Sequence, residues 1–140
     1  MIRGLQQADV ARVAEIWLDA NVRAHHFIPE QYWRDCFGAV KTQLAEAELY
    51  VYETAGEIQG FVGLDGSYIA GIFVCPEAQS QGVGKQLLDF IKALKRQLNL
   101  SVYQKNSGAV RFYQREGFAV QREGTDEDTG ETEYFMAWEQ

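Results

Sequence analysis

The sequence predicts an α+β fold, in which a mostly antiparallel, twisted sheet of about seven strands is flanked by four helices. Two kinds of segment support this prediction, short runs typical of half-buried strands and amphipathic runs with helical period. Their order along the chain is β-α-α-β-β-β-α-β-α-β-β. The 140 residues are a usual size for one domain, which we expect to span residues 1–140.

The first third of the chain is predicted to supply one strand and two helices. Residues 2–5 form the strand, and residues 8–20 form a helix because apolar side chains recur at the spacing of one helical face. These side chains are Val10, Val13, Ala14, Trp17 and Leu18. Pro29 is favoured at a first helical position and begins the second helix, which continues through Leu44. Residues 23–28 are expected to be a loop.

The middle of the chain is predicted to form three consecutive strands. They cover residues 49–54, 57–64 and 67–75. Ala55-Gly56 forms the first turn, and Asp65-Gly66 is a strong signal for a two-residue hairpin. Pro76 ends the third strand.

The last part of the chain is predicted to alternate helices and strands. Residues 82–98 form a helix whose buried stripe ends at Leu98, and residues 100–104 form a strand. Asn106 caps a further helix, which ends near Gly117. Two closing strands then flank an acidic turn. They cover residues 118–123 and 132–138.

The charge of the chain limits the classes of partner. A net charge of −7 argues against non-specific nucleic-acid binding. Basic residues concentrate between Lys85 and Arg122, while acidic residues dominate the segment that follows. No run approaches the length of a membrane span, and no secretory signal is visible, so we expect a cytoplasmic protein. Cys36 and Cys75 form no metal-type cluster and are expected to be reduced.

The segment Gln79-Ser-Gln-Gly-Val-Gly-Lys85 lies between an apolar strand and an amphipathic helix. Backbone N–H groups at a helix N-terminus lack intrahelical partners, and the helix dipole adds positive charge, so this loop is predicted to hold a phosphate or pyrophosphate. Gln79 and Gln86 occupy positions where a P-loop needs Gly and Ser or Thr, and Leu87 replaces the third glycine of a dinucleotide fingerprint. Both of those site types are therefore disfavoured.

Two motifs resemble signatures of the GNAT N-acetyltransferases. Gln79-x-x-Gly82-x-Gly84 resembles the acetyl-coenzyme A signature Arg/Gln-x-x-Gly-x-Gly/Ala, although Gln79 stands where Arg is common. Residues 106–118 resemble the second signature, Asn-x-x-Ala-x-x-Phe-Tyr-x-x-x-Gly-Phe. The motifs have the family's order, and the similarity covers roughly the whole chain. It is closest to the small stand-alone bacterial members and implies a GNAT-like fold.

The resemblance implies an N-acetyltransferase that moves an acetyl group from acetyl-CoA to a primary amine by direct attack in a ternary complex. The amine could belong to a small molecule, a protein lysine or an N-terminus, and a non-catalytic coenzyme A sensor is the alternative. Tyr113 matches the tyrosine that the family aims at the thioester sulfur. A phenol pKa near ~10 lies above that of a thiol, so Tyr113 can act as the general acid. No metal, nucleic acid or membrane is implied, and assembly as a homodimer stays open.

The resemblance also implies which residues bind coenzyme A. Gly71 interrupts an apolar strand. A glycine in such a place often marks a bulge or a close approach of the backbone to a ligand. In the family this strand splays from its neighbour, and the pantetheine arm enters the gap. Asn106 could bond that arm as well as cap its helix, and Lys85 could meet a phosphate. The expected set is Ile72, Phe73, Val74, Gln79, Gln81, Gly82, Val83, Gly84, Lys85, Asn106 and Tyr113.

The general base and the acceptor site are not fixed by the sequence. His25 and His26 lie in a loop that shapes the acceptor site in this family, and an ordinary histidine pKa near ~6.5 suits a base. Glu53, Asp65 and a water relay are rivals. Three aromatic residues could surround the acceptor amine, although one of them, the tryptophan, also suits the core. They are Phe27, Tyr32 and Trp33.

Overall fold

The computed structural model describes residues 1–140, and its elements follow the predicted order. The strands are β1 (Ile2–Gly4), β2 (Glu48–Thr54), β3 (Glu57–Asp65), β4 (Tyr68–Val74), β5 (Gln97–Tyr103), β6 (Ala119–Thr125) and β7 (Thr132–Glu139). The helices are α1 (Val10–Ala24), α2 (Glu30–Glu46), α3 (Val83–Leu94) and α4 (Ser107–Arg115). Short 3₁₀ turns at Gln7–Asp9 and Pro76–Ala78 precede α1 and α3.

All seven strands belong to one sheet, in the order β1-β2-β3-β4-β5-β7-β6. Neighbouring strands are antiparallel throughout, except for β4 and β5, which are parallel. This exception arises because α3 carries the chain back from the end of β4 to the start of β5, as a parallel pair requires. The predicted α+β fold, with seven mostly antiparallel strands and four helices, is confirmed.

Helices cover both faces of the first half of the sheet. Strand β3 is therefore buried along most of its length. Helix α3 packs on one face, where a Cβ at Gly60 would meet Val83 and Leu87. Helix α1 contacts β3 and β4 from the other face and packs against α2, while α4 contacts β5. The hydrophobic core thus lies around β3 and β4, next to the point where β4 meets β5.

Helix α3 is shorter than the sequence predicts. It ends at Leu94, which is 50% exposed, and not at residue 98. Leu98 belongs to β5, where it alternates with Leu100 and Val102 as a buried residue. Because Leu98 follows Leu94 by four residues, it continues the helical stripe as well as starting the strand alternation. The pattern alone therefore placed the boundary too late.

Helix α1 is longer than predicted. It continues to Ala24, so that Arg23 and Ala24 are helical and the loop before α2 is shortened. The N–H of His25 donates to the carbonyl of Asn21 at 3.0 Å and closes the last turn. His25 is thereby fixed at the C-terminus of a helix instead of lying in a long loop.

Of the two turns that connect β2, β3 and β4, one lies where the sequence predicts it and the other is shifted by one residue. Ala55 and Gly56 form the first turn as expected, both with positive φ. The second turn lies at Gly66 and Ser67, one residue later than predicted, because Asp65 pairs with Tyr68.

None of the helices combines the length and the apolar character needed to cross a lipid bilayer.

Candidate active site

Strands β4 and β5 separate soon after they begin. They pair only at Tyr68 with Asn99 and at Ile69 with Leu100. Beyond Ile69 the two parallel strands share no register, although β4 continues to Val74 and β5 to Tyr103. The sheet is therefore open at the carboxyl ends of its two central strands.

A β-bulge lies where the strands begin to separate. The register of β3 against β4 shifts between Gly63 and Leu64, so that Ala70 has no partner of its own. Gly71 follows the bulge, and a Cβ at this position would lie 2.3 Å from the ring of Phe73. The Phe73 ring folds back over Gly71, so a larger residue at this position would have to displace the ring. The bulge bends β4 away from β5 at this point.

The gap between the strands leads into a cleft of about 710 Å³. Its walls come from the end of α1, the second half of β4, the loop before α3, and α4. The lining residues are Ala20, Ala24, His25, Ile72, Phe73, Val74, Ala78, Gln79, Ser80, Gly82, Val83, Gly84, Lys85, Asn106, Gly108, Ala109, Phe112, Tyr113, Arg115 and Glu116. All the expected cofactor-binding residues are among them except Gln81.

The second half of β4 presents unpaired backbone to this cleft. The N–H of Cys75 donates to Gln59 of β3, and successive residues of a strand direct their backbone groups to opposite edges. The backbone groups of Ile72 and Val74 therefore face the gap left by β5, where the carbonyl of Val74 accepts a hydrogen bond from the Gln79 side chain and the other groups have no strand partner. Phe73, by contrast, directs its backbone towards β3 and contributes its side chain to the cleft.

The glycine loop borders the cleft at the N-terminus of α3. Gly82 is the N-cap of α3 and has φ of +81°, a conformation that strongly favours glycine. The first intrahelical bond runs from the N–H of Gln86 to the carbonyl of Gly82. The N–H groups of Val83, Gly84 and Lys85 consequently have no partner within the helix and are available to an anion.

Two glutamine side chains brace this loop. Gln79 lines the cleft, and its amide donates to the carbonyl of Val74 at 3.2 Å. The amide of Gln81 donates to the carbonyl of Glu77 at 3.0 Å, and Gln81 does not line the cleft. Gln79 therefore ties the loop to the end of β4, and Gln81 ties it to the 3₁₀ turn at Pro76–Ala78.

Charged side chains lie at the mouth of the cleft beside the glycine loop. Lys85 pairs with Asp89 at 3.1 Å and with Glu116 at 3.2 Å, and these hydrogen bonds raise the pKa of Lys85. An incoming phosphate must compete with these carboxylates for Lys85. Arg115 also lines the mouth, although the sequence analysis did not single it out. The sequence predicts a helix over Arg115, but not that this side chain borders the cleft, because that depends on where α4 lies relative to the glycine loop.

Tyr113 projects from α4 into the cleft. Its side chain is 8% exposed and packs against Phe112 and Phe118. Its hydroxyl takes part in no hydrogen bond within the protein, and so is available to a ligand. Burial, and to a smaller extent the nearby hydroxyl of Tyr68, raises the pKa of Tyr113 above the usual range for a phenol. The group is therefore protonated, as a general acid must be.

Asn106 and His25 meet across the cleft. The Oδ1 of Asn106 accepts from the N–H of Ala109 at 3.3 Å, which makes Asn106 the N-cap of α4, as the sequence predicts. Its Nδ2 lies 3.2 Å from Nε2 of His25. His25 is buried, and this burial lowers its pKa to about 4. The ring is therefore neutral at physiological pH.

The aromatic residues expected near the acceptor amine form one cluster around His25. Trp33 stacks on the imidazole at 5.3 Å, and Phe27 meets it edge-on at 5.6 Å. Tyr103 joins the cluster from β5 at 5.1 Å, a contact that the sequence analysis missed. Trp33 is buried, in keeping with the core role also considered for it. Tyr32 packs on Trp33, one layer further from the imidazole.

The other candidate bases lie outside the cleft. His26 is exposed and contacts Phe27 without lining the cavity. Glu53 is paired with Arg3 at 2.8 Å near the opposite edge of the sheet. Asp65 ends β3 at the hairpin. The structure thus brings His25 to the site and leaves the other three side chains away from it.

Comparison with known proteins agrees with this geometry. A family model for an acetyltransferase (GNAT) domain matches residues 45–120, which include the splayed strand, the glycine loop and Tyr113. The peptidyl-lysine N-acetyltransferase YiaC of Escherichia coli K12 is 36% identical over 140 residues, covering 99% of this chain and 96% of that protein.

Solved structures show the same fold. The apo-form of YjaB from Escherichia coli superimposes with a TM-score of 0.88 at 25% identity, covering 99% of this chain and 96% of that one. The structure of yncA from Salmonella typhimurium, which contains acetyl-CoA, has a TM-score of 0.68 at 19% identity, covering 99% and 92%. With the two motifs placed on one cleft, and relatives of this similarity along the whole chain, the protein belongs to the GNAT family and is an N-acetyltransferase.

Proposed function

We propose that the protein transfers the acetyl group of acetyl-CoA to the side-chain amine of a lysine in a protein, by direct attack while both substrates are bound. One observation carries this proposal. A single cleft joins a helix N-terminus with free N–H groups, a strand edge that lacks its neighbour and a protonated tyrosine. These three features suit, respectively, the diphosphate, the amide-bearing arm and the thioester of acetyl-CoA.

The glycine loop and β4 provide the binding surface for acetyl-CoA. The free N–H groups of Val83, Gly84 and Lys85 suit the diphosphate, because they add hydrogen bonds to the positive end of the helix dipole. The N–H and carbonyl of Ile72 and the N–H of Val74 have no strand partner and suit the amides of the pantetheine arm, which thereby takes the place of a strand between β4 and β5. Gln79 stands where Arg is common in the family. The loop therefore has one positive charge fewer but keeps all of these backbone donors.

Acyl transfer places three demands on the site. The attacking amine must lose its proton, the thioester oxygen gains negative charge in the tetrahedral intermediate, and the sulfur leaves as a thiolate. A backbone N–H of β4 stabilises the oxygen. Tyr113 gives its phenolic proton to the departing sulfur, so that free coenzyme A forms as the C–S bond breaks and the new C–N bond remains in the amide. The proton released by the amine restores the phenol through solvent.

The attacking lysine must lose a proton before it can react with the thioester. A lysine amine with a pKa near ~10.4 is neutral in only about one molecule in a thousand near pH 7.4. His25 lines the cleft, but its Nε2 lies against the Asn106 amide and its Nδ1 is sealed from solvent. We therefore favour a water relay, one of the alternatives set out from the sequence, as the route by which the ammonium loses its proton.

The choice of protein lysine as acceptor is supported by the relatives. YiaC, at 36% identity, is named a peptidyl-lysine N-acetyltransferase. A small-molecule amine remains the competing acceptor. A sensor without catalysis is not favoured, since the chain belongs to a family of transferases and keeps a protonated tyrosine in the cleft.

The acceptor can be tested with matched peptides. Purified protein and acetyl-CoA are incubated with an Nα-acetylated peptide containing one lysine, with the same peptide carrying arginine in its place, and with a panel of small amines. We expect thiol release and the mass gain of one acetyl group only with the lysine peptide. Turnover of small amines with none of the lysine peptide would contradict the acceptor and keep the reaction class.

A further inference from the structure

His25 occupies an unusual position between the two halves of the site. Its backbone ends α1, on the side of the sheet where α1 and α2 pack. Its ring reaches across the cleft to Asn106, the first residue of the segment that carries Tyr113. No other hydrogen bond between side chains joins the α1–α2 segment to α4. His25 therefore couples two elements that otherwise face each other over an open space.

The direction of this hydrogen bond follows from the cap of α4. The N–H of Ala109 can bond only to the oxygen of the Asn106 amide, so Oδ1 is assigned to the cap and Nδ2 faces His25. An amide nitrogen can only donate, so Nε2 of His25 must be unprotonated and accept. The imidazole is then the neutral tautomer with its proton on Nδ1.

The surroundings of the ring keep it in this state. The imidazole is enclosed by Trp33, Phe27 and Tyr103, none of which carries a charge. Desolvation lowers the pKa of His25 to about 4, and the carbonyl of Asn21 offsets only part of this effect. Nδ1 itself is buried without a hydrogen bond of good geometry. A group in this state is poorly suited to take a proton from an amine and well suited to hold a partner.

Asn106 keeps one unused donor. Its Nδ2 carries two N–H groups, of which His25 accepts one. Because the two N–H bonds are fixed in the amide plane, holding one of them fixes the other. Asn106 lines the cleft, so the second N–H is available to a ligand there. A carbonyl of the pantetheine arm is an acceptor of the right kind.

We propose that His25 is a positioning residue: it accepts one N–H of Asn106 and thereby aims the other at an amide carbonyl of acetyl-CoA, while anchoring the start of the helix that bears Tyr113. This role rests on the proposed binding of acetyl-CoA in the cleft. His25 acts through Asn106 and does not contact the reacting atoms.

Two variants separate this role from simple packing. In His25→Phe the ring stays aromatic but the acceptor is lost, whereas in His25→Gln the side-chain oxygen can still accept from Asn106. We expect His25→Phe to raise KM for acetyl-CoA about fivefold to tenfold, the effect of losing one hydrogen bond, with kcat changed less than threefold. We expect His25→Gln to recover most of that loss.

A double-mutant cycle supplies the decisive comparison. In an Asn106→Ala background, His25→Phe should add less than a twofold change in KM, because the residue through which it acts is gone. An equal loss with and without Asn106 would overturn the positioning role, and so would a wild-type KM in His25→Phe. A wild-type protein that does not bind acetyl-CoA by calorimetry would instead overturn the proposed function, and this inference with it.

The tautomer provides a readout that does not depend on activity. Long-range ¹H–¹⁵N spectra of the free protein between pH 6 and 8 should show His25 protonated on Nδ1 and not on Nε2. A proton on Nε2, or a charged ring, would contradict the assigned hydrogen bond. Thermal unfolding of each variant shows whether a change in KM accompanies loss of the fold.

Discussion

At the scale of single residues, the proposed acid role of Tyr113 depends on its hydroxyl group. Replacement of Tyr113 by Phe removes the hydroxyl while the ring can still pack on Phe112 and Phe118. General acids contribute about 10²- to 10⁴-fold to rate, so we expect kcat to fall by about 100-fold. KM for acetyl-CoA should stay within twofold. Steady-state kinetics on the lysine peptide measures both quantities, and full activity would remove Tyr113 from the mechanism.

The pH dependence of kcat gives a separate test of Tyr113. An acid acts only while it is protonated, so its contribution is present below its pKa and lost above it. Burial raises the pKa of Tyr113 above the ordinary value of a phenol. Its alkaline limb should therefore lie above about pH 10, and kcat should not decline through Tyr113 below that pH. A decline between pH 8 and 9 that disappears in Tyr113→Phe would contradict this assignment.

At the scale of elements, the loop before α3 depends on Gly82. Asn tolerates the left-handed conformation found there, with φ of +81°, better than other side chains do. In Gly82→Asn the fold should survive, but a side chain would crowd the site of the diphosphate. We expect KM for acetyl-CoA to rise about tenfold, a loss comparable with one charge-assisted hydrogen bond.

Gly56 offers a matched control for the loop. It has φ of +80°, with no other atom within 4 Å of a Cβ, and lies in the turn between β2 and β3. Gly56→Asn places the same side chain on the same backbone conformation away from the cleft. An equal rise in KM in both variants, or none in Gly82→Asn, would count against the assigned phosphate site.

Strand β4 also depends on a glycine, Gly71, which follows its bulge. A Cβ at Gly71 would lie 2.3 Å from the Phe73 ring, whereas a Cβ at Gly63 on the paired strand would meet only Ala70 at 3.9 Å. Gly71→Ala must therefore displace Phe73, which packs on Phe61 and lines the cleft. We expect Gly71→Ala to destabilise the protein by about 1–3 kcal/mol in urea unfolding, the usual cost of overpacking.

The variant Gly63→Ala is the control for this prediction. It adds the same methyl group on the opposite member of the pair, where the contact is of ordinary van der Waals length. Its urea midpoint should stay close to that of the wild type. If Gly71→Ala is equally stable, the Phe73 ring is free to move and does not require glycine beneath it.

At the scale of the whole molecule, local patterns predicted the order of elements better than their ends. The fold class and the cofactor motifs were readable because each rests on neighbouring residues, as in the hairpins and the glycine loop. Leu98 was misassigned because helix and strand periods both bury it. The contact between His25 and Asn106 joins positions 81 residues apart, and no local pattern reports it. Tyr103 and Arg115 also reach the site through contacts between segments that are far apart in the sequence.

Acetyl-CoA is also expected to hold the halves of the molecule together. Strands β4 and β5 share only two paired positions. The two halves of the sheet are therefore joined mainly by side-chain packing in the core, with few backbone hydrogen bonds between them. A ligand that bonds the edge of β4, the start of α3 and Asn106 binds only the folded state. At one hundred times its Kd it should add about 2.7 kcal/mol to the free energy of unfolding.

This stabilisation can be divided between the two ends of the cleft. ADP offers a diphosphate without the pantetheine arm, and pantetheine offers the arm without the diphosphate. At the same concentration of free ligand, each should raise Tm by less than coenzyme A does, since each reaches only part of the cleft. In hydrogen exchange, ADP should protect the amides at 83–85 and pantetheine those at 72 and 74. Protection by ADP confined to the carboxyl end of α3 would place the diphosphate elsewhere and break the link between the glycine loop and the delivery of the acetyl group to Tyr113.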